Sequence, residues 1–407
     1  MAMPEICRYL DDIETVFLRN VSPPIQVAEI EGEVDVSSLA CAYELVCVRY
    51  PVLKARIRSD RERFLLEVDP DHRPGIVVRD GDMETLRKLA DSSWDPGNGV
   101  AELSIVRDRR FVYVALRADH AVIDGLNWTA TFAELWRLYS AIVEGTEVSI
   151  QTTRSLPAAP LELFTERGWN VTAVGPPTGA GDEESGPELC DVVDERVRFG
   201  REITAALPVV ARQHGTSVHG LVCGALLLAM RRQAPPASSA HYGWMSCTSL
   251  VDLRKHLSPP VGVDEAVGML GTHVANVVVT VASDPIAIGS QVKAQLTTAL
   301  QERAVRPMWE LRAEGTRDQQ RSADLPGLSI TNLGRVPRFE QPPGMVITDW
   351  LRVFKSRDHM SHRPLFVVYT YDGHLSILGR YSASVYSPQD RQRMSKAIEI
   401  QVSALAG

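Results

Sequence analysis

The sequence predicts a mixed α/β protein of two comparable domains, sheets covered by helices, and three observations carry that expectation. The chain has 407 residues, more than one average hydrophobic core organises, so two domains of ~100–200 residues each are expected. Apolar residues recur with period two in some stretches and with period 3.6 in others, alternating along both halves. Between residues 151 and 189 the composition shifts to Pro, Gly, Ser and acid, as in "SLPAAP" and "VGPPTGAGDEESGPE", which reads as a connector. The expected division is a first domain 1–150, a partly mobile linker 151–189 and a second domain 190–407.

Each element follows from its local pattern. Residues Ile25 to Ile30 alternate as a strand, and "DVSSLACAYELVCVRY" carries Leu39, Tyr43 and Val46 at helical spacing until Pro51 forces Tyr50 out of the α region. "RFLLEVD", "AELSIVRD" and "FVYVALRAD" read as strands. A helix is expected from near Trp128 to a stop at Gly145. In the second half, helices are expected over Arg201–His214 and Ser217–Arg232, and strands at "YGWMSCTSLV", "HVANVVVTVA", "GLSITNL", "FVVYTYD" and "HLSILGRYS". The chain closes on a helix with Ser387 as cap and Pro388 at its first position.

Composition narrows the function classes. The net charge of −8 disfavours non-specific attraction to nucleic acid or anionic lipid. Six cysteines scattered without C-x-x-C pairs fit reduced thiols of a cytoplasmic protein rather than a disulfide framework or a zinc cluster. The acidic start "MAMPEICRYLDDIE" is unlike a signal peptide, and the most apolar stretch, "VHGLVCGALLLAMRR", is too short for a membrane span. The "GAG" in the connector lacks the strand and helix that a dinucleotide fingerprint requires.

One stretch stands out as chemistry, "YVALRADHAVIDGLNW". His120 follows a strand, where reactive side chains are commonly presented, and a neutral imidazole can take a proton at physiological pH. Asp124 and Gly125 then suit a tight turn, with Asp124 able to fix the loop by pairing with a cation. From the residues alone, a hydrogen-bonded structural histidine stays open beside the base. Ser217 in "GTSVHG" misses the G-x-S-x-G elbow and reads as a helix cap.

"DHAVIDG" resembles the H-x-x-x-D-G core of the condensation-domain superfamily, which includes chloramphenicol acetyltransferase-like, plant alcohol acyltransferase-like and wax-ester synthase-like enzymes. Supporting segments occur in the expected order: "RYLDDIETVFLRN", "RYPVLKARI", "LVDLRKHLSPPVG" and "SITNLGRVP". The set is most similar to polyketide-associated acyltransferases of the phthiocerol/phthiodiolone dimycocerosyl transferase type. That resemblance implies two chloramphenicol acetyltransferase-like domains with the active site in a tunnel between them. It implies His120 as the general base for direct attack of a hydroxyl, less readily an amine, on an acyl thioester. Asp124 would then be structural, held by an arginine, for which Arg254 in "VDLR" is the candidate; the alternative is an exposed Arg254 paired with Asp252. Asn332 in "ITNLG" is a candidate oxyanion or substrate donor, or else a turn residue before Gly334.

Asp119 stands where the double-histidine form of the motif has its first histidine, which tilts the reading toward a freestanding acyltransferase; its side chain is also free to face away from the site. His359 and His362 in "RDHMSHR" read as a polar loop rather than a metal site, so no metal is expected. From Arg335 to Arg363, six Lys/Arg stand against three Asp/Glu. This is either solvated surface or a patch for coenzyme A phosphates or an acyl carrier protein. The expected function is acyl transfer from acyl-coenzyme A or a phosphopantetheinyl carrier to a polyketide or other secondary metabolite, with no permanently bound cofactor. The alternatives are carrier-dependent amide-forming condensation and a non-catalytic binding protein of the same fold.

Overall fold

A computed structural model of the chain describes residues 7–20, 23–69, 71–72, 74–150, 156–169, 189–233, 243–265, 267–307, 325–360 and 362–407. The chain forms two compact units, Met1–Gly168 with Leu257–Met269 and Pro337–Ser356, and Trp169–His256 with Leu270–Val336 and Arg357–Gly407. The fold class is mixed α/β, as the two periodicities predict.

The first unit begins with β1 (Cys7–Tyr9), α1 (Asp12–Asn20), β2 (Ile25–Gly32), α2 (Val36–Arg49), β3 (Ala55–Asp60) and β4 (Arg63–Val68). It continues through β5 (Ile76–Asp80), α3 (Met83–Asp91), β6 (Ala101–Arg107), β7 (Val112–Ala118), α4 (Gly125–Glu144) and α5 (Pro160–Glu166). Strands β1, β4 and β3 make a small antiparallel sheet. A larger sheet has the order β13–β2–β7–β6–β5, where β13 (Met345–Val353) returns from far along the sequence. Helix α4 is the long helix of this unit, and its buried Trp128, Phe132, Trp136 and Tyr139 face inward. It ends at Gly145, whose φ of 66° needs a residue without Cβ strain.

The division differs from the expected 1–150, 151–189 and 190–407 because hydrogen-bonding edges ignore sequence distance. β13 adds to the edge of β2 through eight paired positions, from Met345 with Gly32 to Val353 with Ile25. Its register shifts between Ile347 and Asp349, so the alternation that would reveal a strand is broken in the sequence. Helix α5 lies inside the expected linker, capped by Arg167 at its end and tied to the first unit where Leu161 N–H donates to Asp11 at 2.7 Å. Most of the rest of that linker lies outside the described residues.

The second unit has an eight-stranded sheet in the order β11–β10–β9–β12–β15–β16–β8–β14. Its strands are β8 (Leu189–Arg198), β9 (Trp244–Asp252), β10 (Leu270–Val278), β11 (Arg306–Pro307), β12 (Gly327–Arg335), β14 (Arg357–His359), β15 (Leu365–Tyr371) and β16 (His374–Ser382). The helices are α6 (Arg201–Gln213), α7 (Val218–Gln233), α8 (Pro285–Gln301) and α9 (Pro388–Ala404). Ser387 caps α9 in a capping box, and Ser217 Oγ accepts the Gly220 N–H at 3.0 Å, so Ser217 is a cap.

The apolar stretch around Leu226 is the core helix α7, with every residue from Gly220 to Ala229 buried. Gly220 and Gly224 let α8 lie directly on it: a Cβ at Gly224 would overlap the Pro285 carbonyl oxygen, and one at Gly220 would meet Gly289. Gly224→Ala is therefore expected to lower the unfolding free energy by about 2–3 kcal/mol, as overpacking against backbone does, read by denaturant unfolding. Among the described residues, no helix is long and apolar enough to cross a membrane.

Candidate active site

His120 sits two residues beyond the end of β7 in a turn held from both sides. Asp119 N–H donates to Val100 O at 2.8 Å and Val122 N–H returns to Asp119 O at 3.1 Å, so His120 occupies a corner of a β-turn. Phe17 of α1 stacks on the imidazole, centroids 4.8 Å apart and planes within 6°. The ring is half-buried, and its Nδ1 is buried with no hydrogen-bond partner on another residue. Nε2 is thus the nitrogen left to exchange a proton.

Burial holds the His120 pKa below its ordinary value of 6.5; its own backbone and Asp124 oppose that shift, and the positive charge of Arg352 adds to it. The imidazole is neutral at pH 7, the form a general base needs. If it serves as base, kcat/KM is level above pH 6.5 and falls as pH drops through the depressed pKa. A pH profile whose acid limb lies above 6.5 would be incompatible.

Asp124 is held by backbone N–H groups. It is the N-cap of α4, which starts at Gly125 rather than near Trp128: Oδ1 accepts from Leu126 N–H at 3.1 Å and Asn127 N–H at 3.3 Å. The Asn127 side chain answers by accepting the Asp124 N–H at 2.7 Å, completing a capping box. Oδ2 accepts the N–H of Gly268 at 2.9 Å. At 1 % exposure the carboxylate is anchored wholly by protein donors. The D-G pair, expected in a tight turn ahead of the helix, instead opens it, three residues before the expected start.

Of the other candidates, Arg254 and Asn332 lie in the second unit. Arg254 is buried rather than exposed, and Asp252 Oδ1 accepts from its NH1 at 3.0 Å. Asn332 Oδ1 accepts the Gly334 N–H at 2.9 Å, at the bulge where β12 shifts register on β15. Asp119 does not face away: its buried carboxylate turns back onto the His120 loop, accepting from Ala121 N–H at 2.9 Å and Trp94 Nε1 at 3.1 Å.

The basic segment from Arg335 to Arg363 is not uniformly exposed. It is shared between the two units, Arg363 donates to Leu325 O at 2.8 Å, and Arg352 is buried at 9 % exposure. The first three residues of "RDHMSHR", expected in a loop, form strand β14 against β8, where Asp358 accepts from Arg380 at 3.2 Å; no cluster of three metal-ligating side chains forms among the described residues.

Phe17, Gln26, Trp94, Trp128 and Arg352 surround the site without having been singled out from sequence. The Arg352 guanidinium lies 4.4 Å from the Trp128 ring centroid, and Arg352 pairs across strands with Gln26. Gln26 is fully buried, its Nε2 donating to Trp128 O at 2.8 Å and its Oε1 accepting from Trp350 Nε1 at 3.3 Å. A signal for this layer exists in the sequence: Gln26 and Arg352 are polar residues within strands that are otherwise apolar on the buried face.

Residues 190–379 match the family described as "Phthiocerol/phthiodiolone dimycocerosyl transferase C-terminus". The whole chain superposes on polyketide synthase associated protein 5 from Mycobacterium tuberculosis with a TM-score of 0.76, at 20 % identity over 99 % of each chain. It superposes on the first condensation domain of the CDA synthetase with a TM-score of 0.70, at 14 % identity, covering 98 % of this chain and 96 % of the other. The chain has the condensation-domain superfamily fold. Its sequence is similar to the phthiocerol/phthiodiolone dimycocerosyl transferase of Mycobacterium tuberculosis, 22 % identical over 365 residues, 84 % of this chain and 85 % of that one. The resemblance seen in "DHAVIDG" and its companion segments thus extends to the fold of a condensation domain.

Proposed function

We propose that the chain is an acyltransferase that moves an acyl group from an acyl-coenzyme A or carrier-protein thioester to a hydroxyl, less readily an amine, of a polyketide or other secondary metabolite. The observation that carries this reading is the half-buried, neutral His120 held at the corner of a strand–turn–helix by Phe17, Asp119 and the Asp124 cap. His120 Nε2 takes the acceptor hydroxyl proton as its oxygen attacks the thioester carbonyl. The tetrahedral intermediate collapses with cleavage of the C–S bond, and the imidazolium returns its proton to the departing thiolate. No acyl-enzyme forms. The developing oxyanion needs an oriented donor.

Coenzyme A or phosphopantetheine enters as substrate in this reading, not as a resident cofactor. The test is to incubate the purified protein with acyl-coenzyme A esters from acetyl to palmitoyl, with and without a panel of secondary alcohols and amines, and to follow thiol release and ester formation. Acceptor-dependent thiol release with ester product is expected. Amide formation alone, or binding of donor without turnover, would replace the reading by condensation or by a non-catalytic role.

A further inference from the structure

We propose that Asp119 is the positioning residue for His120, acting through a strut that runs from the end of α3 through Arg117 and Trp94 to the turn that holds the imidazole. The proposal rests on the reading of His120 as the base and adds how this chain, with aspartate in place of the first histidine of the motif, holds that base still.

The strut is made of contacts within the first unit. Arg117, buried at the end of β7, donates to Leu89 O at 3.1 Å, Ser92 Oγ at 2.9 Å and Ser92 O at 3.0 Å, which fixes it to the last turn of α3. Its guanidinium lies 4.5 Å from the Trp94 ring centroid. Trp94 in turn donates its indole N–H to Asp119 Oδ2 at 3.1 Å, while Oδ1 receives Ala121 N–H at 2.9 Å. The two carboxylate oxygens therefore bind the residue after His120 on one side and the strut on the other, with the backbone turn closing around His120 itself.

Chemistry explains why the residue is an acid. Two N–H donors converge on one side chain, and only a carboxylate accepts with both of its ends; an amide or a neutral imidazole offers one acceptor and one donor. The cost is that a carboxylate at 3 % exposure is desolvated, which pushes its pKa up to about 6 despite Ala121, Trp94 and Arg117, the charged group that faces it. A turn that needed closure alone would be served by Ser or Asn without burying a charge.

Trp94→Phe keeps the ring under Arg117 and removes only the N–H. Trp94→Phe and Asp119→Asn are each expected to lower kcat about tenfold, the rate equivalent of one charge-assisted hydrogen bond, with KM changed by less than twofold. In Asp119→Asn one donor faces the amide NH₂. The double variant removes that mismatch, so its kcat should recover to that of Trp94→Phe alone. A reading independent of turnover is the His120 ring titration by NMR, assigned with His120→Gln. The charges that act on the His120 pKa are those of Asp124 and Arg352, which Trp94→Phe does not touch, and the midpoint should move up toward 6.5 as the loosened ring gains solvent. Unchanged kcat and midpoint in Trp94→Phe, or additive losses in the double variant, would overturn the proposal. If the parent releases no thiol from any donor while the midpoint shifts, the acyl-transfer reading fails and the positioning role stands.

Discussion

His120→Ala is expected to lower kcat/KM for acyl transfer by about 10²–10⁴-fold, the range a general base contributes, with no loss of stability beyond about 1–2 kcal/mol from the vacated stack on Phe17. The site predicts a selective loss because His120 closes no ladder and caps no helix: its Nδ1 has no partner on another residue, while the turn around it is held by Asp119 and Val122 backbone groups. The proton-transfer step disappears and the frame remains. Thiol-release kinetics measured beside thermal unfolding check both halves. A variant with turnover within a few-fold of the parent would remove His120 from the reaction, and one that unfolds would make it a structural histidine, the alternative the sequence leaves open.

Asp124→Ala should damage both activity and stability. The substitution strips the cap from the 20-residue α4 and leaves the Gly268 N–H without its acceptor. Losing the cap costs about 0.5–2 kcal/mol and an unsatisfied buried donor about 1–3 kcal/mol, so a loss of about 2–4 kcal/mol is expected. Activity should fall at least tenfold, because α4 and the His120 turn share the short segment from Ala121 to Ile123, all of it buried. Asp124→Asn separates the parts: asparagine caps a helix nearly as well but cannot accept from Gly268 with its second atom. It should recover about half of the lost stability. An Asp124→Ala protein that melts with the parent in denaturant titration would show that the cap is redundant.

Local signals made much of the molecule legible. The strand ending at Ala118, the stops at Tyr50 and Gly145, the apolar helix α7 and the Ser387–Pro388 cap are all dictated by neighbours within a few residues, and the structure shows each of them. The resemblance carried by "DHAVIDG" pointed to the superfamily whose fold the chain has. Helices α3 and α8 also carry local signals, the Asp82 capping box and Asp284 before Pro285.

By itself, then, the sequence determined the α/β class, the order of its main elements and the place of His120 just past a strand, since periodicity, caps and turn residues act over a handful of positions. Only the tertiary structure decided that β13 completes the sheet of β2, that Phe17 covers the imidazole, that Arg352 lies inside beside Trp128, and that Asp119 meets Trp94. These pairings join residues dozens to hundreds of positions apart. They are chosen by which edges and faces remain unsatisfied once local structure has formed, and no window of sequence contains both partners.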